Sequence, residues 1–238
     1  MALREIAFTD HDRYHAGISF DAIDRLREEN PDLRIRAGIE LDNDPIHSAA
    51  GRKWIEQHWN KLDFVLGSVH FLDRADQMFD SVPAGAEQFD GRDIDAIYAD
   101  YFRRVREIAA TGLVDCLAHV DLIKIHGHRP NAEIDAIVSE TLDFIRSRDL
   151  AIELSTAGWR KPVKELYPAD RIIELAVQKG VPFTTASDAH SHAQLAENFA
   201  RLAEKMSSFG IREVCVFEKH KRDLRAVSPS AAGAPPPL

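Results

Sequence analysis

Short runs of apolar, often β-branched residues alternate with longer amphipathic stretches along almost the whole chain. The short runs predict strands at Glu5–Phe8, 34–41, 64–69, 114–119, Ala151–Ser155 and Phe183–Ala186. The stretches between them carry apolar residues at helical spacing, as in Phe20–Glu29, where Phe20, Ile23 and Leu26 share a face. Helices are predicted in the same way over 49–59, 94–111, 131–148, 169–179 and 193–209. Gly112, Gly180 and Gly210 close three of them, where a helix C-terminus favours glycine. Strict strand–helix alternation implies a parallel sheet covered by helices. A further run, 212–217, reads as one more strand, at an edge. The Pro/Ala-rich residues 228–238 are expected to form a disordered tail, which leaves 1–227 as one domain.

Bulk composition narrows the function classes. A chain of 238 residues is ordinary for a single β/α barrel and needs no disulfide or structural zinc to hold it. With 30 basic and 39 acidic residues the formal charge is −9, and no basic face is clustered enough to suggest nucleic acid. A small anionic substrate stays compatible with that charge, because bound metals reverse its sign locally. No apolar stretch approaches the roughly 18 residues a membrane helix needs. Cys116 and Cys215 sit in apolar runs without a CxxC spacing, which points to free thiols and a reducing cytoplasm. The opening MALREIAFTDH has no signal-peptide pattern, because Arg4 and Glu5 interrupt the apolar run.

The chemistry sits at the strand ends. The first strand runs into Thr9-Asp10-His11, the second carries Glu40, and the third runs into Ser68-Val69-His70. The fourth ends at His119-Val120-Asp121 and the sixth runs into Ser187-Asp188-Ala189-His190. In a parallel β/α barrel these ends converge on one rim, where active sites lie. Imidazole and carboxylate together suit zinc, iron or manganese. Taken singly, each residue has a structural reading as a cap or a half-buried polar group; the recurrence at five of six strand ends points to metal. The fifth strand runs into Trp159-Arg160-Lys161, and a guanidinium at such a rim suits bidentate phosphate binding. His47, His58 and His220 read as surface residues, and His126 and His128 as part of a Gly/Pro loop. His15 and His192 lie close to candidate ligands in the sequence.

The set TDH (9–11), GIE (38–40), GSVH (67–70), AHVD (118–121) and SDAH (187–190) resembles the PHP (polymerase and histidinol phosphatase) superfamily. The segment IELSTAGWRKPVKELYP (152–168), and GSVHFLD with Phe79-Asp80 downstream, resemble its histidinol-phosphatase branch. The resemblance implies an α/β fold, a distorted (β/α)7 barrel, holding two or three divalent metals. By that resemblance His11, Glu40, His70, His119, Asp188 and His190 are metal ligands and Arg160 binds phosphate. It implies hydrolysis of L-histidinol phosphate in histidine biosynthesis, with Asp188 and His190 the candidates for proton transfer. The family's opening HxH motif has no counterpart before TDH, so the first β/α unit is expected to be missing and metals to be fewer or weaker. Two other readings stand beside this one: a PHP phosphoesterase for another substrate, and an inactive metal-binding protein.

Overall fold

The computed structural model describes residues 3–131 and 133–227. The predicted tail, 228–238, lies outside the described residues. Strands β1 (Glu5–Phe8), β2 (Arg34–Asp42), β3 (Phe64–Ser68), β4 (Cys116–Leu117), β5 (Ala151–Ser155) and β6 (Phe183–Ala186) form one sheet in sequence order. Every neighbouring pair is parallel, with registers such as Phe8↔Ala37, Asp42↔Ser68, Leu117↔Ile152 and Ser155↔Ala186. The sheet curls into a partial barrel. Among the described residues β1 pairs with β2 alone.

Helices α1 (Phe20–Glu29), α2 (Ser48–His58), α3 (Ile94–Ala109), α4 (Asp135–Ser147), α5 (Asp170–Lys179) and α6 (Phe199–Ser208) fill the connections. Ser19 caps α1 by accepting the Ala22 N–H, and Asp93 caps α3 by accepting those of Asp95 and Ala96. Gly180 ends α5 with φ +68°, a conformation that costs glycine nothing. Alternate residues of the middle strands, among them Ile39, Leu41, Val65 and Ile152, enter a core with Ile55, Tyr101, Val105 and Ile173 from the helices. No helix among the described residues is long and apolar enough to cross a membrane.

Three predicted elements differ most from the expectation. β4 keeps only two of six predicted residues. Asp115, just before it, uses its carboxylate as well as its backbone to bond β3, through the Val65 N–H. After Leu117 the chain turns sharply at His119, whose φ is +23°. Helix α6 begins six residues later than its pattern suggests, because Ala196 and Asn198 adopt left-handed backbone that interrupts a helix. The run at 212–217 does not extend the main sheet. It becomes β7 (Glu213–Glu218) and pairs antiparallel with β8 (Lys221–Ala226), a strand whose polar sequence hides it. The turn between them, Lys219-His220, has both residues at positive φ, as a tight hairpin requires.

Candidate metal centre

The C-terminal ends of β1 to β4 bring four of the predicted ligands together. His11 is laid beside β2 by a lone bridge to Glu40, whose N–H donates to the Asp10 carbonyl at 2.9 Å. His70 and His119 each follow the last residue of their strand by two. One ligand atom from each of His11, Glu40 and His70 lies within 4.8 Å of the others. His119 Nε2 is 3.4 Å from Glu40 Oε1. The rings of His11 and His70, and of His70 and His119, meet edge to face at 5.0 Å. Glu40 is thus a buried carboxylate ringed by three imidazoles.

The electrostatics follow from that geometry. Burial would raise the Glu40 pKa, but the His119 ring against it and the charges of His11 and His70 hold it far below the carboxylate range. Burial lowers His11. Burial would also lower His70, yet Asp42 and Asp80 push it up to about 10. Nδ1 of His11, Oε1 of Glu40 and Nδ1 of His119 are buried without a hydrogen-bond partner. Buried polar atoms almost always find partners, so the orphans of His11 and Glu40, within one cluster with His70, mark a place for something that binds them. Nitrogen and carboxylate donors together fit a divalent transition metal.

The remaining predicted residues lie at the mouth of this cluster. Asp188, after β6, has φ +47° and a half-buried carboxyl whose pKa rises through burial, with the Glu40 charge adding to it. His190 is exposed; its Nδ1 stands 3.4 Å from Asp188 Oδ1, outside the buried group. Arg160 donates from Nη2 to the carbonyls of Ser187 and Asp188 at 2.7 and 2.9 Å, which ties the ends of β5 and β6 together. Its Nη1 has no hydrogen-bond partner and lies 3.5 Å from Glu197 Oε2.

Sequence reasoning passed over Asp42, Arg13 and Glu153. Asp42 is fully buried, with Oδ2 2.8 Å from Arg13 Nη2, 3.1 Å from His70 Nδ1 and 3.7 Å from His11 Nδ1. Its signal was available: on a strand, residues two apart share a face, so Asp42 points where Glu40 points. Glu153 sits inside the sheet on β5 and accepts the His119 N–H at 3.4 Å. Its carboxyl is pushed up to about 8 by burial and by the charges of Glu40 and Asp188.

Two of the three histidines read as surface residues are not. His220 stacks on Trp59 with ring centres 3.6 Å apart, and His58 stacks on Trp54 at 4.3 Å. His47 is exposed as expected. His126 and His128 serve the loop: one bonds the Phe79 carbonyl at 2.7 Å, the other stacks on Phe89. His15 turns from the cluster toward the Asp12 carbonyl and Trp54, and His192 is exposed.

A His/Glu cluster on the C-terminal rim of a parallel β/α sheet defines a barrel protein of metal-dependent type. Residues 1–157 match the PHP domain family, and the chain belongs to that family. A Deinococcus radiodurans protein described as a probable histidinol-phosphatase is 35% identical over 184 residues, covering 76% of this chain and 67% of its own length. A Schizosaccharomyces pombe protein of the same description is 24% identical over 204 residues, 82% of this chain and 66% of its own. The crystal structure of histidinol phosphate phosphatase from Lactococcus lactis, complexed with zinc, L-histidinol and phosphate, shares the fold. Its TM-score is 0.72 at 18% identity, over 93% of this chain and 88% of that one.

Proposed function

We propose that the chain is a metal-dependent histidinol phosphatase, converting L-histidinol phosphate and water to L-histidinol and phosphate in histidine biosynthesis. The observation that carries this reading is the convergence of His11, Glu40 and His70 within 4.8 Å, with His119 against the same carboxylate. The similarity to the Deinococcus radiodurans protein and the zinc and histidinol of the Lactococcus lactis complex support the metal and the substrate. His11, Glu40, His70 and His119 would hold a divalent cation, with zinc first among candidates and Asp188 completing the set at the mouth. Such a cation supplies a Lewis acid for the phosphoryl group and acidifies water.

The chain's own residues do the rest. Asp42 orients His70 and, through Arg13, the loop after β1. Arg160 Nη1 makes no hydrogen bond and stands 3.5 Å from Glu197 Oε2, so a phosphoryl oxygen would take it in exchange for that ion pair. His190 stands exposed beside Asp188, where it can hold a proton at a ring nitrogen and give it to the leaving alkoxide.

Elemental analysis of the purified chain, paired with hydrolysis assays on the same sample, tests this. Bound metal with histidinol phosphate turned over far faster than an aryl phosphate is the expected result. Equal turnover of the two would assign a different phosphoester. Absence of both metal and turnover would overturn the enzyme reading.

A further inference from the structure

Lys124 is only 3% exposed, yet it takes no part in the rim chemistry. Its amine donates to the Leu166 carbonyl at 2.7 Å and lies 2.9 Å from Asp121 Oδ2 and 3.4 Å from Glu165 Oε2. It also sits 5.3 Å from the centre of the Tyr167 ring. Asp121, 2% exposed, accepts the Ala169 N–H with the same oxygen. Burying such a pair costs desolvation that an apolar pair of similar volume avoids, so its value lies in what it joins.

On one side is the turn that begins at His119, where the Leu122 N–H bonds the His119 carbonyl at 2.8 Å. On the other is the segment from Glu165 to Tyr167. Tyr167 exchanges two backbone bonds with Ser155 at the end of β5, and its ring meets the His119 ring edge-on at 6.4 Å. His119 has φ +23°, which an L-residue keeps only when its surroundings over-determine it. The holding groups are Glu153 on its N–H, Tyr101 and Leu122 on its carbonyl, and the Tyr167 ring.

We infer that Lys124 is a positioning residue for His119: by pinning the turn after β4 to the Tyr167 segment, it keeps the imidazole against Glu40. The inference rests on His119 being a metal ligand.

Zinc titration of the chelator-stripped protein, well below each variant's melting temperature, is the test. Lys124→Met should weaken zinc binding about 10- to 100-fold, the usual effect of removing support behind a ligand. Asp121→Asn, a milder change that keeps the side-chain shape, should weaken it in the same direction should Lys124→Met fail to fold. His220→Ala, which loosens the opposite end of the sheet, should lower the melting temperature while leaving zinc affinity at the wild-type value. If Lys124→Met or Asp121→Asn loses stability but keeps wild-type zinc affinity, the residue is structural only and the inference is wrong. Absence of zinc binding by the wild type would instead sink the metal reading itself, and this inference with it.

Discussion

Replacing His220 with phenylalanine isolates one charged contact far from the candidate metal centre. Nδ1 of His220 lies 2.8 Å from Asp115 Oδ2 and Nε2 lies 3.0 Å from the Trp59 carbonyl. Both neighbours are acceptors, an arrangement that favours the doubly protonated, cationic ring. Burial works against that charge, but the Asp115 and Trp59 hydrogen bonds outweigh it, with Lys219 opposing weakly, and the pKa rises above the ordinary histidine value. Asp63 braces the same turn, accepting the His220 N–H on its carbonyl at 2.8 Å. Phenylalanine keeps the Trp59 stack and removes both donors. The hydrogen bond to the carboxylate and the weaker one to the carbonyl together contribute about 2–4 kcal/mol. For a chain of this size that is a fall of roughly 5–15 °C in melting temperature. The pH dependence has a definite sign. A folded-state pKa above the unfolded value of about 6.5 makes the contribution complete below that pH and lost as pH rises through the folded value. Thermal melts followed by circular dichroism should therefore show a wide gap between wild type and His220→Phe near pH 6, narrowing in alkaline buffer to what one neutral hydrogen bond supplies. A gap of equal size at both pH values would refute the charged-ring argument. No gap at all would refute any stabilising role for the His220 hydrogen bonds.

Other changes probe the rim. Glu40→Gln leaves three imidazoles around a neutral amide, and should cost zinc affinity by more than the roughly 100-fold seen for outer-shell changes, read by calorimetric titration. Arg160→Lys cannot reproduce the planar fork that grips Ser187 and Asp188 with one nitrogen while presenting the other, so KM for the phosphoester should rise at least tenfold; an unchanged KM would remove Arg160 from phosphate binding. Gly85→Ala would place a methyl 1.9 Å from the Phe79 carbonyl oxygen. Because Phe79 is bonded through its N–H to the His70 carbonyl, stability should fall by about 1–3 kcal/mol, measured by urea unfolding, and turnover should fall with it.

How much of this was legible in advance depends on the range of the interaction involved. Strands Glu5–Phe8, Ala151–Ser155 and Phe183–Ala186 and helix Phe20–Glu29 lie where the apolar pattern places them, because periodicity is a local property. The convergence of His11, Glu40, His70 and His119 was also readable, since parallel strands in sequence order bring every C-terminal end to one rim. The pattern did not show that β4 would shrink to two residues, because Asp115 substitutes a side-chain bond for a backbone one. Nor did it show β8, whose sequence KRDLRA carries a single large apolar residue and is held by backbone pairing to β7.

Tertiary structure decided which polar residues matter beyond the motifs. Asp42, Glu153 and Lys124 look like ordinary charges in the sequence, and His220 looks like part of a basic surface run. Each acquires its role from a partner far along the chain: His70 for Asp42, His119 for Glu153, Leu166 for Lys124, and Asp115 for His220. The chain's order and patterning were enough to specify a parallel sheet and a metal-type rim, because these depend on local periodicity and connection rules. Burial and charge pairing between distant segments depend on the closed fold, and only there do Lys124 and His220 gain the acidic partners that fix their place.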